Sequence, residues 1–192
     1  MMEVLTGFGD SAVLLPLSAV IFLWLLWARS TGSALAWLFA LTLLIGATAV
    51  LKIYFSACPP GPALHSPSGH TSFSVVVYGA VTAIVAAERR QRWQRIAIWL
   101  TGASLVTAIG VSRIVLGSHT RLEVEIGLLV GTAALAAFSA FYSRQKVRRG
   151  GLIVLVVMII AVVGLLHGRR LDFESLFRHL GLRLHIRTLV CG

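Results

Sequence analysis

Six apolar runs, at residues 11–28, 34–50, 71–87, 96–111, 124–142 and 152–166, take up most of the chain and leave short polar links between them. Most approach the roughly 17–25 residues that a helix needs to cross a bilayer. Hydrocarbon offers a backbone no hydrogen-bond partners, so such runs fold as helices that pack on one another. The expected fold is all-α: a multi-pass bundle of about six transmembrane helices over residues 1–168, followed by a basic amphipathic tail at 169–192. With 57% hydrophobic and 12% charged residues, the 192-residue chain is too apolar for an ordinary soluble domain. The opening segment has Glu3 and Asp10 but no basic start, and no small-residue cleavage site is evident near Arg29. The first run is therefore expected to stay in the membrane.

A net charge of +10 raises the question of nucleic acid. The basic residues, however, sit in clusters between apolar runs, where they orient helices, and no nucleic-acid partner is expected. The first, third and fifth links carry Arg29; Arg89, Arg90, Arg92 and Arg95; and Arg144, Lys146, Arg148 and Arg149, against only Lys52, Arg113 and Arg121 in the other two. The positive-inside rule makes the odd links cytoplasmic and turns the second and fourth outward, toward the periplasm or exterior of a plasma membrane, with a bacterial inner membrane as the expected setting. The tail conflicts with this count, because a sixth span leaves Arg169, Arg170, Arg178, Arg183 and Arg187 outside. Either 152–166 is not a full span, or the tail is an outer interfacial helix with Leu171, Phe173, Leu176, Phe177 and Leu180 among the headgroups. The second reading is preferred. Two cysteines, Cys58 and Cys191, have neither metal-site spacing nor a framework pattern and read as ordinary thiols.

Polar residues that can do chemistry gather at the outward ends of the runs. Ser68-Gly69-His70-Thr71 opens an apolar run after an irregular link. A helix N-terminus presents backbone N–H groups and a positive dipole end, and Gly69 lets an anion approach the backbone closely. His70 beside such a cradle can give a proton to a leaving oxygen and then take one from water. The plainer alternative is that Ser68 or Thr71 caps a helix. His119 and Glu123, four residues apart, share a helix face, so the carboxylate can fix the tautomer of the imidazole and leave its other nitrogen nucleophilic. The alternative there is an exposed loop histidine and a carboxylate favoured at a helix start. Glu125 points to another face. Lys52 and Arg113 end two apolar runs, where cations commonly only anchor a helix; Arg113 also lies close enough to His119 in sequence to grip phosphate oxygens while His119 attacks.

Together Lys52 with Pro60, Pro67-Ser68-Gly69-His70, and Ser112-Arg113 with His119 resemble the three signatures of the type 2 phosphatidic acid phosphatase family, to which vanadium haloperoxidases are distant relatives. The resemblance covers roughly residues 45–130. It implies a helical bundle with the site at the outer membrane face, no metal or other cofactor, and a phosphohistidine intermediate. His119 would be the nucleophile, Glu123 its orienter and His70 the general acid and base, with Lys52, Ser68, Gly69 and Arg113 holding phosphate. The implied substrate is a lipid phosphate or diphosphate, such as undecaprenyl diphosphate, phosphatidic acid, phosphatidylglycerol phosphate or a lipid A phosphate. The other partners would be membrane lipids, and nothing in the residues sets the oligomeric state.

Two departures from the family pattern stand out. Pro59 occupies the place of the first signature's arginine, which removes a phosphate clamp; Arg121, or a tail arginine, is the candidate substitute cation. Glu123 stands where the family usually has Asp. Two alternatives to a hydrolase stay open: a lipid phosphotransferase using the same intermediate, which differs only in what reaches it, and a non-catalytic lipid-binding relative, for which the missing arginine is the best support. Outside the signatures, His65 reads as a loop histidine, and His167, His179 and His185 as part of a solvated or interfacial tail. Trp24, Trp27, Trp37, Trp93 and Trp99 read as an aromatic belt, Asp10 as a helix cap, and the small residues of the fourth and fifth runs as sites of close helix packing.

Overall fold

The structure, a computed structural model, describes residues 2–58, 66–142, 147–148 and 150–169. It is a multi-pass membrane helix bundle, and no strand occurs among the described residues. A short α1 (Met2–Gly7) leads into α2 (Ser11–Ala28), followed by α3 (Thr31–Ala57), α4 (Gly69–Ala87), α5 (Arg92–Val115), α6 (Arg121–Phe141) and α7 (Gly151–Leu166). Five spans are long and apolar enough to cross a bilayer, α1 and α2 counting together as one, and α7 is a shorter apolar helix. At 1.5 Å per residue its 16 residues reach about 24 Å, and it still runs the depth of the bundle. Its first residue accepts a hydrogen bond at its carbonyl from Trp24 Nε1 (2.6 Å), near the end of α2. Its C-cap His167 stacks on Phe8 before the start of α2, with ring centroids 4.5 Å apart.

Side-chain caps mark the starts of the helices. Asp10 caps α2 by accepting from the Ala12 N–H (2.9 Å), as its place before Ser11 predicts. Ser30 caps α3 and Ser68 caps α4. The central helix is α4, which packs against α2, α3, α5 and α6. Two glycines of α6, spaced four apart, let it lie directly on α4: a Cβ at Gly127 would meet the Ser68 carbonyl oxygen at 2.7 Å, and one at Gly131 the Ser72 carbonyl oxygen at 2.6 Å. This small-residue stripe is the close packing expected for the fifth run, because without a hydrophobic drive between helices in lipid, backbone proximity supplies the contact. Large apolar side chains such as Leu23, Phe39, Leu129, Phe141 and Ile160 are left on the outside, facing lipid.

The two ends of the bundle differ. At one end Arg29 pairs with Glu88 (2.8 Å) and lies over the Tyr142 ring, while the Arg148 N–H donates to the Ala28 carbonyl. This gathers the α2–α3, α4–α5 and α6–α7 links on one face, the alternation predicted from charge. The C-terminal ends of α3, α5 and α7 and the starts of α2, α4 and α6 share the opposite face. The tail therefore departs from the same face as the two signature-bearing links; from residue 170 it lies outside the described residues.

Several expectations need correction. Trp24 and Trp37 are not belt residues: both are buried, and Trp37 Nε1 donates to the Ser18 carbonyl (2.9 Å). His167 is half-buried against Phe8 rather than solvated. Cys58 is disulfide-bonded rather than an ordinary thiol. His65, His179, His185 and Cys191 lie outside the described residues.

The glycine stripe yields a stability prediction. Gly131→Val forces a branched side chain into the α4 backbone and should cost about 1–3 kcal/mol, read as a lower unfolding temperature in detergent. Gly46→Ala, where a Cβ meets nothing within 4 Å, should leave that temperature unchanged or raise it. Equal unfolding temperatures for the two variants would contradict the packing described.

Candidate active site

The turn between α5 and α6 sets the first part of the site. Helix α5 ends at Val115, and Gly117 follows in the left-handed region at φ 65°, where a glycine carries no Cβ penalty. The reversed chain folds back on the helix end: the Ser118 and His119 N–H groups both donate to the Arg113 carbonyl, at 3.1 and 3.2 Å. Arg113, on the last turn of α5, and His119 are thus held together by backbone bonds.

One residue later Thr120 opens α6 as its N-cap, with a capping box. Thr120 Oγ1 accepts from the Glu123 N–H, and Glu123 Oε2 accepts from the Thr120 N–H (3.1 Å). The same carboxylate oxygen lies 2.9 Å from His119 Nδ1. Its other oxygen, Oε1, accepts from the Ser66 N–H (2.9 Å), and the Glu123 backbone carbonyl accepts from the Ser68 N–H (3.0 Å). One buried glutamate therefore joins the α5–α6 turn to the segment entering α4. A carboxylate facing Nδ1 requires the proton there, so the lone pair of a neutral His119 is on Nε2, the arrangement of a nucleophile or base.

Lys52 comes from α3, inside the helix and well before its C-cap at Cys58, because α3 continues past the apolar run. It is 5% exposed, and its Nζ donates to Ser66 Oγ (3.1 Å). A Cβ on Gly69 would sit 3.7 Å from Lys52 Cε, so the lysine stem passes beside the first residue of α4. Ser68, fully buried, caps that helix and accepts from Thr71 Oγ1 (2.9 Å). His70 follows in the first turn, partly exposed, with Nε2 3.6 Å from Asp10 Oδ2. Arg113 Nη1 donates to Thr6 Oγ1 (3.1 Å).

Lys52, Ser68, Gly69, His70, Arg113, His119 and Glu123 thus lie at one end of the bundle; Ser66 and Glu123 link Lys52, Ser68 and His119, while the His70 and Arg113 side chains meet Asp10 and Thr6. Arg121 does not join them: its side chain is 84% exposed and pairs with Glu125 along the outer face of α6 (2.8 Å). This placement lends no support to it as the substitute cation, and Pro59 itself lies outside the described residues. Sequence reasoning passed over Ser66, Thr120, Thr6 and Asp10 as site neighbours. Thr120-x-x-Glu123 carried a readable signal, since it has the capping-box pattern; the contacts of Ser66 with Glu123, Asp10 with His70 and Thr6 with Arg113 join residues 57 to 107 positions apart, beyond any local pattern. The assembled groups, a carboxylate-bound imidazole, a second histidine, two cations and a helix N-terminus, are suited to binding an anion and transferring protons. Among the described residues no cluster of His, Cys, Asp or Glu is placed to hold a metal ion.

A family model described as PAP2 superfamily matches residues 33–147, a stretch that holds all seven of these residues. An uncharacterised 22.5 kDa protein in the cps region of Klebsiella pneumoniae is 32% identical over 149 residues, covering 74% of this chain and 69% of that protein. Glucose-6-phosphatase 3 of Mus musculus is 37% identical over 82 residues, covering 41% of this chain and 23% of that protein. No solved structure matches the chain.

Because Glu123 holds the α6 cap, the Ser66 amide and His119 at once, Glu123→Ala should destabilise the fold by about 1–3 kcal/mol, the usual cost of stranding buried donors. His119→Ala should cost less than half as much. Thermal unfolding of the two variants in detergent checks this, and equal losses would show that the carboxylate does not organise the entrance to α4.

Proposed function

The chain belongs to the PAP2 superfamily, a family of phosphatases, and from that membership we propose that it hydrolyses a lipid phosphate or diphosphate through a phosphohistidine intermediate on His119. The observation that carries the reading is the 2.9 Å contact between His119 Nδ1 and Glu123 Oε2. It leaves the histidine's lone pair on Nε2, at the bundle end that also holds Lys52, Arg113 and the N-terminus of α4.

The chemistry then proceeds in two displacements. The His119 Nε2 lone pair attacks the terminal phosphorus; the P–N bond forms as the bond to the leaving oxygen breaks (the ester oxygen of a monophosphate, the bridging oxygen of a diphosphate), and that oxygen takes a proton from His70. The lipid product remains in the bilayer. His70, now neutral, removes a proton from water, whose oxygen attacks phosphorus as the P–N bond breaks, and inorganic phosphate leaves. Lys52, Arg113, Ser68 and the Gly69 N–H hold the non-bridging oxygens, where preorganised donors are worth most as charge shifts in the transition state. None of these steps calls for a metal ion.

A lipid substrate suits a site whose parts gather at one end of a membrane bundle: the headgroup meets the polar end while the acyl or prenyl chain stays against the apolar flanks. The reading puts the site at the outer face of a plasma membrane, with a bacterial inner membrane as the expected case. Two observations support that side. The arginine-rich links lie at the other end of the bundle, and Cys58, at the site end, is disulfide-bonded, as is usual in oxidising compartments.

Phosphate release by detergent-purified protein, measured with chelator on a panel of prenyl, glycero- and lipid A phosphates, tests the reading. Glucose 6-phosphate, the ester in the mouse relative's name, serves as the water-soluble member. Release from a lipid that survives chelator and falls at least about 10³-fold in His119→Ala is expected, with a bell-shaped pH dependence from one neutral and one protonated histidine. Release from glucose 6-phosphate alone would overturn the lipid assignment. Lipid binding without release would favour a non-catalytic relative, and release only when an acceptor lipid is present would favour transfer.

A further inference from the structure

The matched family region starts at residue 33, yet two side chains from before it reach the site. Thr6 Oγ1 accepts from Arg113 Nη1, and Asp10 Oδ2 lies 3.6 Å from His70 Nε2. The segment that carries them, the end of α1 and the turn into α2, is fastened from three sides. Tyr78 Oη on α4 donates to the Phe8 carbonyl (2.7 Å), the His167 ring at the end of α7 stacks on Phe8, and Gly9 fits against α5 where a Cβ would meet Ile109 Cγ2 at 2.7 Å. Asp10 itself is buried, and its Oδ1 is occupied by the α2 cap. The other oxygen, Oδ2, is turned toward His70 Nε2, so the capped carboxylate faces that ring nitrogen from a fixed position.

We infer that Asp10 is a positioning residue for His70: it holds the Nε2–H of the imidazole and so directs Nδ1 to the leaving oxygen and, in the second step, to water. This rests on the phosphohistidine reading above, in which His70 gives and takes the proton. At 3.6 Å the contact is electrostatic rather than a hydrogen bond, and contacts of this kind commonly tighten once substrate is bound. The proton moves between Nδ1 and substrate oxygen in both steps, while the Nε2 proton stays facing Asp10.

The leaving group separates this role from a structural one. An alkyl phosphate needs its departing oxygen protonated, whereas p-nitrophenyl phosphate expels a stable phenolate without that help. Because kcat/KM reports the steps up to loss of the leaving group, it isolates the transfer that Asp10 is inferred to direct. Asp10→Asn keeps a good helix cap while removing the charged acceptor. It should lower kcat/KM for the lipid phosphate roughly tenfold or more relative to p-nitrophenyl phosphate, at an unfolding temperature close to wild type. Asp10→Glu, which keeps the carboxylate, should recover part of the loss, and it serves as the second variant if Asp10→Asn does not fold. His70→Ala should show the same leaving-group bias more strongly. Equal losses on both esters, or none, in a wild type whose activity depends on His119 would overturn the role of Asp10 alone. A wild type without His119-dependent hydrolysis would remove the phosphohistidine reading and this inference with it.

Discussion

The Glu123 carboxylate is the interaction on which the rest of the site depends. A buried carboxylate is tolerated only when its oxygens are occupied, and here they are shared among the α6 cap, the Ser66 amide and His119 Nδ1. Each contact fixes a different part of the molecule: the start of a helix, the entrance to the next signature, and the tautomer of a histidine. Glutamate in place of the family's usual aspartate fits this work. Its side chain reaches back to its own N-cap to complete the box with Thr120 and still spans to residue 66.

That carboxylate can organise the site only because α4 and α6 are close enough for backbone of one to meet side chain of the other. Gly127 and Gly131 provide the proximity, and the cap at Ser68 and the carbonyl of Glu123 meet above them. At the far end of the bundle, Arg29 with Glu88 and Tyr142 gathers three links. The bundle is therefore tied at both ends by polar contacts and along its length by apolar packing. The catalytic chemistry proposed uses only the end where the C-terminal parts of α3 and α5 meet the starts of α2, α4 and α6.

Much of this was legible in the chain. Apolar run length yields the helices, charge counting yields the alternation of links, and the i, i+4 spacing of His119 and Glu123 anticipates their contact. Local rules stopped at three kinds of feature. Trp24 and Trp37 lie near helix ends in sequence, as belt residues do, but which face of a membrane helix meets lipid is set by its neighbours. A short stretch such as residues 2–10, interrupted by Gly7 and Gly9, carries too little periodicity to reveal a short helix, and nothing local shows that Thr6 and Asp10 turn back on Arg113 and His70. Arg121 had the right charge in the right link; its pairing with Glu125 on the outer face of α6 is an i, i+4 contact that competes for it. The family resemblance named the site residues, and the geometry adds what supports them.

The central claim is that His119 becomes phosphorylated during turnover. The most direct measurement is acid-base mapping of protein-bound phosphate after rapid quenching with a substrate labelled at the transferred phosphorus. The account predicts label that survives alkali, is lost in acid, maps to the peptide containing His119 and is absent from His119→Ala. Turnover with no bound label at any quench time, or label on another residue, would contradict it.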